Sequence, residues 1–361
     1  MFVASCLFVH GFSRVAHITY GFDGLAQYSS SPHRTVFANF CQWDCGWYSR
    51  VVYGGYSLPP RNEEGQYTAG WAFFPLFPIT IRALEDIVHI DPTTIVVITS
   101  KLEFFTAILT FLLWLRPYLE GLKEYFLAAA IVAFNPYLIY GHSGYSEPLY
   151  FTVCCLGFWA LEQQKWILAG VFGAALSATR LVGLSFVVVY AIAAFRQLGP
   201  GALKDRSLRL WLGIVLCPLG LALFGIYLHH HVGDALAFAH VQSAWGRIST
   251  DPITSLVESI RLRGWFRIWA LMGIAGLLLS AWLIWRRAEY GIFLAISILL
   301  PLSTGVTWSL ARYMWWQPPL LLVIFLALRR SSAAQTLYFT CAGGMAAFMV
   351  ITWFSGNNIV I

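Results

Sequence analysis

Charged residues are scarce in this chain: Asp, Glu, Lys and Arg make up 11% of its 361 residues. A soluble globular domain carries about 25%, whereas 58% of the residues here are hydrophobic. The composition therefore excludes a soluble globule and predicts an all-α polytopic membrane protein.

The sequence also lacks the common motifs of nucleotide binding and hydrolysis. It has no glycine-rich phosphate loop, no Asp-x-Asp signature of nucleotide-sugar enzymes and no recognisable Ser/His/Asp arrangement. These absences argue against a soluble nucleotide donor, whereas a lipid-linked donor needs only a membrane groove and one or two cations for its phosphate. The net charge of +6 does not indicate nucleic acid binding, because Lys and Arg fall in short turns between apolar runs.

Metal and disulfide chemistry are weakly supported. Most of the seven cysteines lie in apolar segments, where thiols pack as small hydrophobic groups. A strained bridge or a metal pair is conceivable for Cys41 and Cys45, but neither has the usual ligand spacing, so packing is favoured. Three consecutive histidines, 229–231, diverge by about 100° each on a helix and do not converge on one ion. The sequence predicts no metal site and no cofactor.

Apolar runs of about 15 to 25 residues predict about eleven transmembrane helices in a single domain over residues 1–361. The first run, from Met1 to Tyr20, is weak because His and Arg interrupt it. It is either a complete first helix or a span whose upstream half precedes this sequence.

Basic residues set the predicted orientation. They cluster in the loops near Arg116, Lys165, Arg196, Arg286 and Arg329. These loops share one side if residues 168–195 form two short helices that meet near Arg180, and the positive-inside rule makes that side cytoplasmic. The opposite face then receives a long first loop with interfacial helices (21–92), the turn before Pro148, Arg180, a second loop (229–264) and Arg312.

A single acid among aromatic residues marks the long first loop. If the chain is helical from Trp43 to Tyr53, Asp44 shares a face with Trp47 and Tyr48, and Trp43 stacks over Trp47. Aromatic rings cover the apolar face of a sugar while a carboxylate accepts hydrogen bonds from its hydroxyls. The pattern therefore favours sugar binding, and the alternative is an interfacial aromatic belt with one solvated acid.

Further candidates fall on the same predicted face. The turn Tyr145-Ser146-Glu147-Pro148 opens a span, where Glu147 either caps a helix or orients an acceptor. The amphipathic stretch 233–247 offers His240 and Gln242 as hydrogen-bonding groups for a sugar or phosphate.

Two arginines are candidates for binding a phosphate. Arg180 interrupts an apolar run of nearly thirty residues, where a charge is costly and by default functional. The planar guanidinium group matches two phosphate oxygens, although an interior salt bridge is an alternative. Arg312, at the mouth of a late span, has the same potential, and snorkelling to the interface is its alternative.

Together these motifs resemble the second GPI mannosyltransferase family (PIG-V type) and its prokaryotic relatives, from about Phe37 to Pro319. The resemblance rests on Trp-Asp-x-x-Trp-Tyr, Ala-Phe-Phe-Pro-Leu-Phe-Pro, Asn-Pro, Gly-Tyr-Ser-Glu, Thr-Arg-x-x-Gly, Gly-Asp-x-Leu-Ala-Phe and Arg-Tyr in this order. It implies the GT-C glycosyltransferase fold and a polyprenyl- or dolichyl-phosphomannose donor. It also implies a catalytic acid in the first extracytoplasmic loop, which maps onto Asp44.

The expected function is mannose transfer, with inversion, from a polyprenyl-phosphate-linked donor to a lipid-linked or glycan acceptor outside the cytoplasm. Asp44 is the expected general base. The expected substrate contacts are Trp43, Trp47, Tyr48, Tyr145, Glu147, His240 and Gln242, with Arg180 and Arg312 on the donor phosphate. A prokaryotic plasma membrane is the expected location, or the ER membrane with a luminal site in a eukaryote. Alternatives are a flippase for a lipid-linked sugar and a non-catalytic subunit of a mannosyltransferase complex.

Overall fold

The computed structural model describes residues 1–20, 37–56, 69–199, 208–305 and 307–356. Within these residues the regular structure consists of α-helices and short 3-10 turns. The α-helices are α1 (Phe2–Tyr20), α2 (Asp44–Gly54), α3 (Leu76–Val88), α4 (Pro92–Leu115), α5 (Leu122–Ala133), α6 (Glu147–Glu162), α7 (Trp166–Thr179), α8 (Phe186–Leu198), α9 (Leu208–Leu216), α10 (Leu219–Val232), α11 (Ala237–His240), α12 (Pro252–Arg261), α13 (Trp265–Arg286), α14 (Ala288–Leu302), α15 (Leu310–Trp315), α16 (Pro318–Leu328) and α17 (Ser332–Phe354).

Several helices are long and apolar enough to cross a membrane. Within the described residues there are five, namely α1, α4 with its following turn, residues 181–198, α13 and α17. A sixth arises if α9 and α10, which are bent by 44°, form one broken span, and α7, α14 and α16 are shorter apolar helices. The all-helical membrane class predicted from the sequence is confirmed, and the count of about eleven spans stays a prediction.

Two helix starts follow directly from Asp-Pro pairs in the sequence. Asp91 accepts hydrogen bonds from the backbone amides of Thr93 and Thr94 at the start of α4. Asp251 caps α12 in the same way. An N-cap carboxylate followed by proline satisfies otherwise unpaired amides and sets the backbone angle for the first turn.

The described chain divides into two compact units. The first contains Met1–Ser49, Thr80–Cys155 and Trp315–Ile361. In this unit α4 packs on α5, α1 packs on α17, and α16 packs on α5. Residues 135–147, which join α5 to α6, are buried throughout and fold against α4. Irregular backbone at membrane depth is stable only where protein or a polar cavity surrounds it, so this loop depends on its contacts within the unit.

The second unit contains Arg50–Ile79 and Leu156–Met314. Here α7 contacts α8, α9 and α10, while α13 packs on α12 and α14. An apolar cluster joins the segment before α3 to α10 and α11; its buried members are Phe74, Phe224, Leu228, Ala237 and Phe238.

Within each unit, arginines of the predicted basic loops contact residues at the ends of neighbouring helices. In the second unit, Arg196 pairs with Glu289 at 3.0 Å and Arg287 pairs with Glu162 at 3.1 Å. The ends of α6 and α8 therefore meet the start of α14. In the first unit, Arg329 donates a hydrogen bond to a carbonyl of the loop between α4 and α5.

The apolar run around Arg180 is broken where the sequence predicted. Helix α7 ends at Thr179, Arg180 is extended (φ −157°, ψ 149°), and a 3-10 turn, Leu181–Ser185, leads into α8. A Cβ atom on Gly183 would overlap the carbonyl of Leu176, so this turn packs closely on α7 only because residue 183 is glycine. The prediction of two helices that meet near Arg180 is confirmed.

Candidate active site

Asp44 is the first residue of α2. Its partly exposed side chain lies at the positive end of the helix dipole, which favours a negative charge. The Asp44 backbone amide donates a hydrogen bond to the hydroxyl of Tyr145 at 3.2 Å, and that hydroxyl donates to the carbonyl of Gln42, also at 3.2 Å. The tyrosine thus fixes the backbone on both sides of Trp43.

A disulfide joins Cys41 to Cys45 and closes the turn that contains Asp44. The sequence favoured two packed thiols here, and that interpretation is wrong. Both cysteines are buried, and a Cβ atom on Gly144 would lie 2.5 Å from Cys45 Sγ. Gly144 also has φ +79°, a backbone conformation that glycine adopts at little cost. The disulfide therefore packs directly on the Gly-Tyr-Ser-Glu turn.

The same turn provides a second anchor for α2. Tyr48 donates a hydrogen bond to Ser146 Oγ at 2.8 Å, and both side chains are buried. The predicted helical face of Asp44, Trp47 and Tyr48 is confirmed by the bounds of α2. Trp47 is partly exposed on this face.

Glu147 is completely buried at the start of α6. The structure confirms the predicted helix N-terminus, where a carboxylate interacts favourably with the dipole. Within the first unit, direct hydrogen bonds therefore join Asp44 to Tyr145 and Tyr48 to Ser146, and Glu147 is next to Ser146 in the chain.

Trp43 lies outside α2, and its predicted stacking over Trp47 stays a prediction. It precedes α2 with φ +49°, a left-handed conformation that is uncommon for residues other than glycine. Its ring meets the ring of Trp353 edge to face at a centroid distance of 4.7 Å. Gln42 Nε2 also donates to the Trp353 carbonyl at 3.0 Å. The helix predicted over residues 43–53 has the observed length but is shifted by one residue, because α2 runs from Asp44 to Gly54 and Trp43 packs on α17.

The second unit brings the two predicted phosphate-binding arginines to one aromatic ring. The Cζ atoms of Arg180 and Arg312 each lie 4.9 Å from the centroid of Tyr313. Arg312 Nη2 also donates to the Tyr313 hydroxyl at 3.1 Å. Ser309, just before α15, has φ +69°. Such backbone strain persists only where surrounding contacts hold it and is frequent at functional sites.

The two remaining candidates make local contacts. His240 Nδ1 lies 2.7 Å from a carboxylate oxygen of Asp234, and both side chains are exposed. The hydrogen bond from His240 holds the pKa of Asp234 below its ordinary value, and the amide of Leu236 adds to this effect. Gln242 Nε2 donates to the carbonyl of Phe238 at 3.3 Å.

The histidines at the end of α10 are exposed, and the ring of His231 stacks on Tyr227. Within the described parts of the chain, no group of three or more His, Cys, Asp or Glu side chains is arranged to hold a metal ion.

Sequence reasoning assigned no role to Gln42, Tyr313 or Trp353, and it considered Ser146 only as a residue near a helix N-terminus. Tyr313 follows Arg312 directly, so the Arg-Tyr pair was a local signal. Trp353 had none beyond its place near the end of the last apolar run, because its contacts join positions far apart in the chain.

Residues 25–228 match a family described as mannosyltransferase (PIG-V). The matched range includes Asp44, Tyr145, Glu147 and Arg180 and ends before Arg312. No curated protein matches the chain.

Solved structures similar to this one include ArnT from Cupriavidus metallidurans bound to undecaprenyl phosphate, with a TM-score of 0.53 and 14% identity. The alignment covers 94% of this chain and 63% of ArnT, so the chain spans less than two thirds of that protein. The oligosaccharyltransferase of Archaeoglobus fulgidus, in complex with zinc and sulfate, aligns with a TM-score of 0.49 and 14% identity over 97% of this chain and 53% of its own. The chain has the GT-C fold.

Proposed function

The chain belongs to the mannosyltransferase (PIG-V) family, and from this premise we propose that it is a membrane glycosyltransferase with Asp44 as its general base. In the proposed reaction it moves mannose from a polyprenyl-phosphate-linked donor to a glycan or glycolipid acceptor. The main observation that supports the proposal is the way in which the surrounding residues hold Asp44 in place. A partly exposed carboxylate begins a helix whose first turn is held by a disulfide and by Tyr145.

The acceptor hydroxyl loses its proton to a carboxylate oxygen of Asp44 while its oxygen forms a bond to C1 of mannose. The bond between C1 and the phosphate oxygen breaks, and its electron pair stays on the phosphate. Attack opposite to the leaving group inverts the configuration at C1. Asp44 then releases the proton to solvent, which restores the carboxylate.

The donor phosphate gains charge during this step, because a phosphodiester with one negative charge becomes a phosphomonoester with two. We propose that Arg180 and Arg312 bind this phosphate and stabilise the developing charge. Their shared contact with Tyr313 supports the assignment, since contact with one aromatic ring restricts both guanidinium groups.

The remaining side chains of the first unit are proposed to bind the sugar or the acceptor. Trp47, partly exposed on the Asp44 face of α2, suits stacking on a pyranose ring. Glu147 suits orientation of an acceptor hydroxyl next to the turn that holds α2.

The roles of His240 and Gln242 are proposed to be secondary, because both already make local contacts.

We propose that the Asp44 segment lies outside the cytoplasm. Disulfides persist in oxidising compartments, and the Cys41–Cys45 bond lies within this segment. The basic loops of the first unit lie at the opposite end of α4, near Arg116 and Arg329, as the positive-inside rule requires for a cytoplasmic side. The expected location is therefore a prokaryotic plasma membrane with an outward-facing site, or an ER membrane with a luminal one.

The test uses purified protein in liposomes with polyprenyl-phosphomannose and mass spectrometry of the lipid and glycan products. Asp44→Asn preserves shape but removes the base, so kcat should fall by about 10²- to 10⁴-fold. Asp86→Asn is the matched control, because Asp86 is an exposed acid of α3 that pairs with Arg82. Its activity should equal that of the wild type.

Movement of intact donor across the bilayer without cleavage would contradict the proposal and indicate a flippase. Donor cleavage that depends on a second protein and tolerates Asp44→Asn would indicate a non-catalytic subunit. Near wild-type transfer by Asp44→Asn alone would remove Asp44 from the mechanism.

A further inference from the structure

Lys101 is a buried cation within the membrane-spanning helix α4. It lies about 14 Å along the helix axis from Pro92, at 1.5 Å per residue, and only 9% of its surface is exposed. A charge at such depth is costly and is by default functional. The mechanism proposed above does not use it.

Lys101 makes one contact with the loop of residues 135–147, which also contacts α2. Lys101 Nζ lies 3.1 Å from His142 Nδ1. A lysine ammonium group only donates, so an ammonium group at Lys101 pairs with His142 Nδ1 as the acceptor. His142 is completely buried, and its ring lies edge to face with Phe104 at 5.0 Å. The imidazole is therefore held by packing and by the lysine together.

The second contact of Lys101 reaches the segment just before Asp44. Its Nζ atom lies 4.6 Å from the centroid of the Phe40 ring. Phe40 is 1% exposed and packs on His10 of α1 and Phe354 of α17. A cation is attracted to the face of an aromatic ring, and the attraction is stronger where water is excluded.

The neighbouring residue, Ser100, completes the arrangement. Its hydroxyl donates to the Tyr145 carbonyl at 3.2 Å and accepts from the Tyr145 amide at 3.4 Å. Tyr145 in turn bonds the backbone of Asp44 through its hydroxyl. Two adjacent residues of α4 thus hold both the Gly-Tyr-Ser-Glu turn and, through Phe40, the segment that carries Asp44.

We propose that Lys101 is a positioning residue of the transfer site, which acts by clamping the Phe40–Asp44 segment to the loop that carries His142 and Tyr145. The inference rests on the proposed function, since it assigns Lys101 to the orientation of the base. Lys101 touches neither reacting group. A displacement of about 1 Å in a catalytic group can cost about 100-fold in rate.

The test compares Lys101→Met, Lys101→Arg and Lys165→Met in the liposome assay. Methionine keeps most of the apolar stem but lacks the cation, so kcat should fall tenfold to a hundredfold while the donor KM changes less than twofold. Arginine still stacks on Phe40 and donates to His142, so it should restore at least a third of the lost rate. Lys165 lies over the ring of Trp159 in the second unit and is exposed, so Lys165→Met should match the wild type.

A second readout does not depend on catalysis. The rate at which a reductant opens the Cys41–Cys45 disulfide, followed by alkylation and mass spectrometry, reports on the mobility of the Asp44 segment. Lys101→Met should accelerate opening at least fivefold and Lys165→Met should not. In a double-mutant cycle, Lys101→Met should add little to Phe40→Leu, because both remove the same contact.

Wild-type kcat and wild-type disulfide opening in Lys101→Met would overturn the inference, as would strictly additive effects with Phe40→Leu. If Lys101→Met is fully active and Asp44→Asn is inactive, the positioning role of Lys101 is rejected and the proposed function is retained. An inactive wild type would reject the proposed function, and the disulfide-opening rates would then decide the clamp alone.

Discussion

The guanidinium groups of Arg180 and Arg312 lie on the ring of one tyrosine, Tyr313, each with its central carbon 4.9 Å from the ring centre. Arg180 follows the end of α7, and Arg312 belongs to the short helix α15. Arg312 is almost fully buried, at 4% exposure. The ring therefore links two cations that the sequence identified separately as ligands for a donor phosphate.

Replacement of the shared ring should weaken both proposed phosphate contacts. Tyr313→Leu removes two cation–π interactions, each worth about 0.5 to 2 kcal/mol, so kcat/KM should fall by about fivefold or more at 1.4 kcal/mol per factor of ten. Tyr313→Phe keeps the ring and loses only the hydroxyl contact to Arg312, so its loss should be smaller. Steady-state kinetics at varied donor concentration measure both.

Trp282→Leu is the control for Tyr313→Leu, since it removes a ring near Arg286 at 5.6 Å that has no proposed role. Equal losses in the two leucine variants would contradict a specific effect on the phosphate-binding pair.

The turn after Arg180 should tolerate no side chain at Gly183. Gly183→Ala makes a methyl group overlap the Leu176 carbonyl. Overpacking of this kind lowers the free energy of unfolding by about 1 to 3 kcal/mol. We expect a lower melting temperature in detergent and a reduced kcat/KM, because relief of the overlap moves Arg180. Gly343→Ala in α17 is the matched control, because a Cβ atom added there meets no other atom within 4 Å and alanine favours a helix. An unchanged melting temperature in Gly183→Ala would show that the turn adapts.

The disulfide beside Asp44 should support activity. Loss of the bond in the double variant Cys41→Ser/Cys45→Ser should lower the free energy of unfolding by about 2 kcal/mol, because the unfolded chain gains loop-closure entropy. It should also lower kcat, because the first turn of α2 loses a constraint. Treatment of the wild type with a reductant should have the same effect on kcat. Cys341→Ser, which replaces an exposed free cysteine, should leave kcat and its sensitivity to reductant unchanged. Reductant-insensitive transfer by the wild type would contradict this role.

The stabilisation that the Asp234–His240 contact gives to the fold should decrease as the pH falls. The pKa of Asp234 is lowered in the folded protein, first by the hydrogen bond from His240. A depressed carboxyl pKa stabilises the fold above the unfolded value of about 3.9, and this contribution disappears as the pH falls through the folded pKa. Asp234→Asn should therefore speed hydrogen exchange in residues 233–246 at neutral pH, and its effect should shrink as the pH falls through the lowered pKa of Asp234. A pH-independent effect of Asp234→Asn would contradict this account.

Local sequence was sufficient for several elements of the site. The helical face of Asp44, Trp47 and Tyr48, the helix start at Glu147 and the break at Arg180 were all predicted correctly. Each depends on short-range physics: a period of 3.6 residues, a proline in the first turn, or a charge that interrupts an apolar run.

Other features were missed because they depend on distant partners. The sequence placed Trp43 in a helix, whereas its packing on Trp353 sets a left-handed backbone just before α2. The thiols of Cys41 and Cys45 were expected to pack separately. Their bond forms where α2 begins, and the spacing alone did not specify that geometry.

Hydrophobicity and charge act along the chain, so the sequence was enough to establish a helical membrane protein with one acid among aromatic rings and two costly arginines. Three relationships became visible only in the folded chain: Tyr145 bonds the backbone of Asp44, Lys101 meets both Phe40 and His142, and Arg180 and Arg312 share Tyr313. These contacts arise from the packing of helices that are remote in sequence, and helical periodicity does not encode which remote faces meet.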